Sequence, residues 1–430
     1  MSTALLTDHY ELTMLEAALS SGNAHRRSVF ELFARRLPGG RRYGVVAGTG
    51  RILDALEEFR FGATELDFLR SHQVVDEHTL GWLGDYRFSG DIWGYPEGEA
   101  YFPFSPVLIV EASFGEAVLL ETLLLSVLNH DSAIASAASR MTWAAGDRPC
   151  IEMGSRRTSE WAAVAAARAA YVAGFGTTSN LEASRRYGVP SAGTSAHSFT
   201  LLHDTEEQAF RAQVSALGQA TTLLVDTYDV TEAVRLGVEI AGPELGAVRL
   251  DSGDLGVLAH EVRAQLDELG ATKTRIVVTS DLDEYAIAGL ASAPVDGYGV
   301  GTQLVTGSGH PTCGFVYKLV AHEDSDGEMV SVAKKSKDKA SLGGRKYALR
   351  RLDARDVAEA EVIGVGEPPE GDSNDRPLLV QLVEDGEVVG RQPLDLARVR
   401  HERSRDELPV QARTLQKGDP VIPTLHVGES

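Results

Sequence analysis

Apolar positions along this chain fall into two textures. Between Cys150 and about Lys318 they come in strand-length runs: Cys150–Met153, Tyr171–Phe175, Thr222–Asp226, Ala247–Asp251, Arg275–Ser280 and Gly297–Val300. Helical spacing fills the gaps between them. After Asp254, for example, Leu258, Val262, Leu266 and Leu269 line one face and Gly270 ends the helix. Capping-box spacings mark four helix starts: Ser179 with Glu182, Asp204 with Glu207, Asp229 with Glu232, and Asp281 with Glu284. Strand–helix alternation implies parallel strands joined by crossover helices. Six such runs favour a closed barrel over an open sheet, and a barrel gathers its chemistry at the C-terminal ends of its strands.

The flanks read differently. Near the start, Asp8 and Glu11 have capping-box spacing, Leu12, Leu15 and Leu19 repeat at helical spacing, and Gly22 ends the helix. Val29–Leu32, Ile92–Tyr95, Tyr101–Phe104 and Leu108–Glu111 read as strands, and Leu37–Arg42 as a basic loop. Glu116–His130 is strongly apolar and reads as a helix buried between layers. Beyond Lys318 the alternation stops. Met329–Ala333, Lys346–Leu352, Pro377–Val383 and Val388–Pro393 read as strands, and Gly366–Asp375 as a surface loop. The expected class is α/β. Residues 106–320 form an α/β barrel, and residues 1–105 and 321–430 together form a discontinuous β-rich α+β domain.

Charge narrows the partners. A formal net charge of −21 argues against nucleic acid and anionic membrane surface, which both need basic protein surface. A local basic pocket for a phosphorylated small molecule is still compatible with it. The run Val118–Leu128 is interrupted by Glu121 and too short to span a bilayer. Asp8, Glu11 and Glu16 interrupt any signal-peptide core. Cys150 and Cys313 are the only cysteines, which leaves no disulfide framework and no CxxC zinc site. The expected location is the cytoplasm.

Polar clusters stand at the ends of the apolar runs. Gly193-Thr194-Ser195-Ala196-His197-Ser198-Phe199 places one histidine among small residues, where a ligand can approach closely and a phosphate can reach the ring. The same heptapeptide fits a loop histidine with a hydroxyl neighbour. Arg249-Leu250-Asp251-Ser252-Gly253-Asp254 sets two carboxylates three apart on a glycine-containing turn, which suits a ribose diol or a magnesium ion held through water, or equally a helix cap beside a solvated acid. Gly299-Val300-Gly301-Thr302 suits backbone N–H contact with a phosphate, or a tight turn. Arg156 and Arg157 suit a phosphate or carboxylate, or are surface charge. Asp226, in Asp226-Thr227-Tyr228-Asp229, suits a sugar or metal, or belongs to a helix cap.

Taken in order, these motifs are more specific than any one of them. With Thr7-Asp8-His9-Tyr10-Glu11-Leu12-Thr13-Met14 and Glu121-Thr122-Leu123-Leu124 added, the series resembles the nicotinate phosphoribosyltransferases, a type II phosphoribosyltransferase family, over about residues 3 to 350. The resemblance implies an irregular α/β barrel with a β-rich domain built from both chain ends, and a homodimer with shared active sites. It implies the reaction of nicotinate with 5-phosphoribosyl 1-diphosphate to give nicotinate mononucleotide and diphosphate in NAD salvage. It also implies that ATP is consumed through a phosphohistidine and that Mg2+ is required.

Carried over residue by residue, His197 matches the phosphorylated histidine. Arg249 and Ser198 match residues holding the nicotinate carboxylate, and Tyr10 matches an aromatic that stacks on the pyridine from the neighbouring subunit. Arg156 and Arg157 match arginines of the phosphate and carboxylate region. Asp226, Asp251 and Asp254 match acids near the ribose and magnesium; the metal ligands are left open, with Mg2+ expected through the substrate and Asp251 or Asp254 as candidate contacts. Gly299, Gly301 and Thr302 match the 5′-phosphate cradle. Two positions depart from relatives. Gly176-Thr177-Thr178-Ser179-Asn180 has no acid where nicotinamide-using relatives carry an aspartate, which favours a carboxylate base. Met153 stands where ring-sandwiching relatives carry phenylalanine. The alternatives are a nicotinamide or quinolinate phosphoribosyltransferase, or an inactive nucleotide-binding paralogue. The Lys334–Lys337 run reads either as a loop closing over ATP phosphates or as solvated charge.

Overall fold

The computed structural model describes residues 2–334 and 342–428, so Lys335–Lys337 of the basic run lie outside the described residues. The chain forms two compact units, Met1–Ser136 with His310–Ser430, and Ala137–Gly309.

In the first unit the strand Arg27–Ala34 is buried at every position after Arg27. It pairs antiparallel with Leu108–Ser113 on one side and Phe315–Glu323 on the other. The ladder itself therefore joins the two ends of the chain, with Val29 opposite Ala321 and Leu32 opposite Tyr317. The seven-stranded sheet runs in the order Met329–Ser331, Phe315–Glu323, Arg27–Ala34, Leu108–Ser113, Asp91–Gly94, Val380–Glu384, Glu387–Val388. A four-stranded sheet holds Arg376–Pro377, Lys346–Leu352, Ala358–Val365 and Thr424–Val427. The run expected as one strand from Pro377 to Val383 is thus divided between two sheets. The expected helix Glu116–His130 is two helices, Phe114–Val118 and Glu121–Ala145, and the first starts earlier than expected, at a capping box of Ser113 and Glu116.

Between Asp91–Gly94 and the C-terminal helix Leu394–Asp406 lies a buried charge cluster. Arg376 donates two parallel bonds to Glu99, at 2.8 and 2.9 Å, and further bonds to Glu407. Arg350, fully buried, lies 3.6 Å from Glu99 and 3.5 Å from Glu361. Burial alone pushes the Glu99 carboxyl up. Arg376 and then Arg350 outweigh it and hold the group at about 2. The folded value lies below the ordinary 4.5, so this stabilisation is complete above about pH 4.5 and fades as pH falls toward about 2. Glu99→Gln is expected to cost about 3–5 kcal/mol, the usual penalty for breaking a buried pair, and to flatten the acid limb of a Tm-versus-pH series. A Tm profile that overlays the parent would contradict this.

The second unit holds a six-stranded parallel sheet in the order Thr177–Thr178, Cys150–Glu152, Gly297–Val300, Arg275–Ser280, Ala247–Leu250, Thr222–Leu224. The first strand, at Cys150, pairs with the last, at Gly297, so the sheet curls back on itself as a barrel does. The expected closure is not reached. The Thr177 and Thr222 strands do not pair, and a single parallel bridge from Thr178 to Ser191 is the only extension among the described residues. The intervening Val189-Pro190-Ser191-Ala192-Gly193-Thr194-Ser195-Ala196 explains the open seam: Pro190 lacks a ladder donor, and the small residues after it are poor strand formers.

Two further expectations are corrected here. Tyr171–Phe175 is not a strand. The alanine-rich helix Glu160–Val172 runs into it, and Gly174, at φ +103°, turns the chain toward Thr177. Of the four caps, Asp229 holds the Glu232 N–H as expected, while the others shift to Asn180, Thr205 and Asp283, whose side chains accept the first-turn N–H groups. Both cysteines are free and buried, and no helix among the described residues is long and apolar enough to cross a membrane.

Candidate active site

The tips of the Thr222, Ala247 and Arg275 strands, together with the seam segment, bring four of the expected residues together. Along Ala247–Leu250, Val248 and Leu250 are buried and Arg249 points to the opposite face, as strand alternation dictates. Its Nη1 donates to the Thr194 hydroxyl at 2.5 Å, and its buried Nε has no hydrogen-bond partner. Burial pushes the guanidinium below the usual arginine range. Asp251 and Asp226 draw it back up, and neighbouring Arg156 pushes it further down.

Asp226 stands two residues past its strand with its side chain 3% exposed. Its Oδ2 accepts the Asp251 N–H at 2.9 Å and the Ser252 hydroxyl at 2.6 Å, while Oδ1 is buried without a hydrogen-bond partner. Asp251 accepts the Thr279 hydroxyl through Oδ1. His197 begins the helix His197–Leu202, and its side chain is 40% exposed. Its Nε2 lies 3.8 Å from Asp226 Oδ1 and 3.9 Å from Asp251 Oδ2, and its Nδ1 is 3.1 Å from the Thr227 hydroxyl. The imidazole is therefore open to a ligand and faces two carboxylates. Gly253, at φ +84°, gives the Asp251–Asp254 turn a left-handed residue where a side chain would be strained.

The other expected residues stand as follows. Asp254 caps the helix Leu255–Glu268 through Oδ1. Arg156 and Arg157 are exposed on the turn after Glu152, and Ser198 is exposed on the second residue of its helix. Gly299 has a packing reason to be glycine, since a Cβ there would lie 2.4 Å from Thr279 Cγ2 and 2.8 Å from Met153 Sδ. Gly301 precedes the short helix Thr302–Val305, and the Thr302 hydroxyl is 3.5 Å from Asp281. Tyr10 belongs to the first unit, 44% exposed, with its phenol pushed up to about 12 by burial and by Glu121. Sequence reasoning missed the hydroxyls that orient the cluster, Thr194, Thr227, Ser252 and Thr279. Three of them lie inside the quoted motifs, but nothing in Arg275–Ser280 singles out Thr279. A cleft of about 1030 Å3 in the first unit, walled by Trp93, Tyr347 and Pro368, is lined by none of the expected site residues.

Two family models match the chain. Residues 5–129 match the nicotinate phosphoribosyltransferase (NAPRTase) N-terminal domain, and residues 149–353 match the nicotinate phosphoribosyltransferase (NAPRTase) family. The chain belongs to the nicotinate phosphoribosyltransferase family. A nicotinate phosphoribosyltransferase of Mycobacterium tuberculosis, pncB1, is 58% identical over 429 residues, covering 98% of this chain and 94% of the relative. One from Bacillus subtilis is 38% identical over 364 residues, covering 82% of this chain and 74% of the relative. The crystal structure of human nicotinic acid phosphoribosyltransferase superposes with a TM-score of 0.84 at 26% identity, covering 98% of this chain and 97% of that one.

Within this member of the family, the acid-free loop Gly176–Asn180 is built around hydroxyls: Thr178 is buried, and its hydroxyl accepts the Asn180 N–H at 2.9 Å. Met153, the other departure, packs over Gly299, whose missing side chain makes room for the thioether.

Proposed function

We propose that the strand-tip cluster transfers the 5-phosphoribosyl group of 5-phosphoribosyl 1-diphosphate to the ring nitrogen of nicotinate and couples this to ATP through His197. The observation that carries the reading is the convergence of an accessible imidazole, a half-buried arginine with an unpaired Nε, and two carboxylates. The Arg249 guanidinium suits the base carboxylate, because charge-assisted bonds to a carboxylate are strong and directional. Asp226 and Asp251 suit the ribose, where carboxylates stabilise the positive charge that develops at C1 as the diphosphate leaves. No protein nucleophile is needed in that step, since the pyridine nitrogen forms the new bond and positioning supplies much of the acceleration.

In the coupled step a ring nitrogen of His197 takes the γ-phosphoryl group of ATP and ADP leaves. Water later cleaves the N–P bond and releases phosphate. While phosphorylated, His197 carries negative charge beside Asp226 and Asp251, which shifts how the site holds its anionic substrates. Asp226 and Asp251, whose carboxylates both face His197, would hold a Mg2+ together with the phosphates of the substrate. No group of three or more His, Cys, Asp or Glu side chains among the described residues is arranged to hold a metal without such help. When bound, the ion neutralises diphosphate charge. Tyr10, exposed on its helix, serves as the aromatic cover for the base of a neighbouring subunit in a homodimer.

The test is steady-state turnover with nicotinate, nicotinamide and quinolinate in the presence of donor, ATP and Mg2+. Nicotinate is expected to exceed nicotinamide by at least about 100-fold, because a site that binds a charged group penalises its absence. Comparable nicotinamide turnover, carbon dioxide release from quinolinate, or no product from any base would overturn the reading.

A further inference from the structure

We infer that Glu152 is a positioning residue for this transfer: its carboxylate ties the Gly154–Arg157 turn to the tip of the Thr177 strand, and so fixes where Arg156 and Arg157 meet the donor's phosphates. This rests on the reading of the site given above. Glu152 ends the Cys150 strand and is fully buried. A carboxylate in that position is costly unless its oxygens are bonded. One oxygen accepts the Gly154 N–H and the other accepts the Thr178 hydroxyl, so neither partner is a cation. Burial pushes the carboxyl above the ordinary glutamate range, and the two bonds draw it back. The Glu152 carbonyl also accepts the Ser179 N–H at 2.8 Å, so side chain and backbone hold the same strand tip.

The turn has no slack on its other side. Met153 N–H bonds the Val300 carbonyl at 2.8 Å, and a Cβ on Gly154 would lie 3.1 Å from the Gly301 carbonyl and 2.2 Å from Val305 Cγ1. A second stitch runs from Asn180 Nδ2 to Ser155 Oγ at 3.0 Å. Arg156 follows directly, and its charge acts on Arg249. Any displacement of Gly154 therefore moves Arg156 relative to the carboxylate clamp. Sub-ångström placement of binding groups governs such sites.

The arrangement depends on polarity as well as on volume. Gly154 N–H can only donate. The Thr178 hydroxyl accepts from Asn180 N–H, and its own proton goes to Glu152. A carboxylate accepts both protons, whereas an amide offers its oxygen to one donor and a second donor to the other. Glu152→Gln keeps the volume and breaks one bond.

The experiment measures kcat and both KM values on the full chain for E152Q, T178V, T178S and the E152Q/T178V pair, with Tm as a folding control. E152Q and T178V are each expected to raise the donor KM about tenfold, with kcat changed by less than about threefold. Their effects should be less than additive because they share a bond. Thr178→Ser keeps the hydroxyl and should restore the parent values. A folded E152Q with parental donor KM, or T178S matching T178V, overturns the assignment. If E152Q fails to fold, the contrast between T178V and T178S decides alone. A parent enzyme that does not use the donor at all overturns the reading of the site, and this assignment falls with it.

Discussion

Arg249→Ala is expected to raise the nicotinate KM by about 100-fold or more while changing the donor KM by less than about threefold. Removing one partner of a desolvated, hydrogen-bonded charge pair costs about 2–5 kcal/mol, which brackets that figure. The site makes the expectation directional. The guanidinium donates Nη1 to Thr194 and lies beside two carboxylates, and on the proposed reading its remaining donors meet the base carboxylate. Asp226 and Asp251 offset the cost of burying that charge. Arg249→Lys keeps the charge and loses the planar fork, so most of the defect should persist. Initial rates with both substrates varied decide the matter. Equal rises in the two KM values would mean that the base carboxylate is held elsewhere.

His197→Ala is expected to leave slow phosphoribosyl transfer intact and to abolish both the ATP stimulation and the acid-labile phosphate. On the proposed reading phosphoryl transfer is routed through this imidazole, so its loss would remove coupling completely, while Arg249, Asp226 and Asp251 would still hold base and sugar. Reaction with γ-phosphate-labelled ATP, followed by base-stable, acid-labile counting, reads the first effect. Turnover with and without ATP reads the second. Label retained by the alanine variant would place the phosphoryl acceptor on another side chain.

The legible part of this protein was the part governed by local spacing. Asp226, Arg249 and Asp251 stand at the ends of apolar runs, His197 stands among small residues outside them, and the alternation along Ala247–Leu250 suffices to turn Arg249 away from Val248 and Leu250. Long-range pairing was not legible. Whether the ring of strands closes depends on residues 189–196, where a proline and a series of small side chains defeat strand formation, and no periodicity reports that. Tyr171–Phe175 misled because its β-favouring residues follow an alanine-rich helix that simply continues into it. The division of Pro377–Val383 between two sheets depends on partners far away in sequence. Glu152 did leave a signal: an acid inside an otherwise apolar strand run must find donors when buried. Thr279 left none, since its partner Asp251 lies 28 positions earlier.

The open seam in the ring of strands bears on edge-to-edge strand pairing between chains. A sheet that does not close has unsatisfied borders, and exposed borders recruit other chains. Here the two border strands, Thr177–Thr178 and Thr222–Leu224, are two and three residues long. Strands this brief offer little length on which an intermolecular ladder could build.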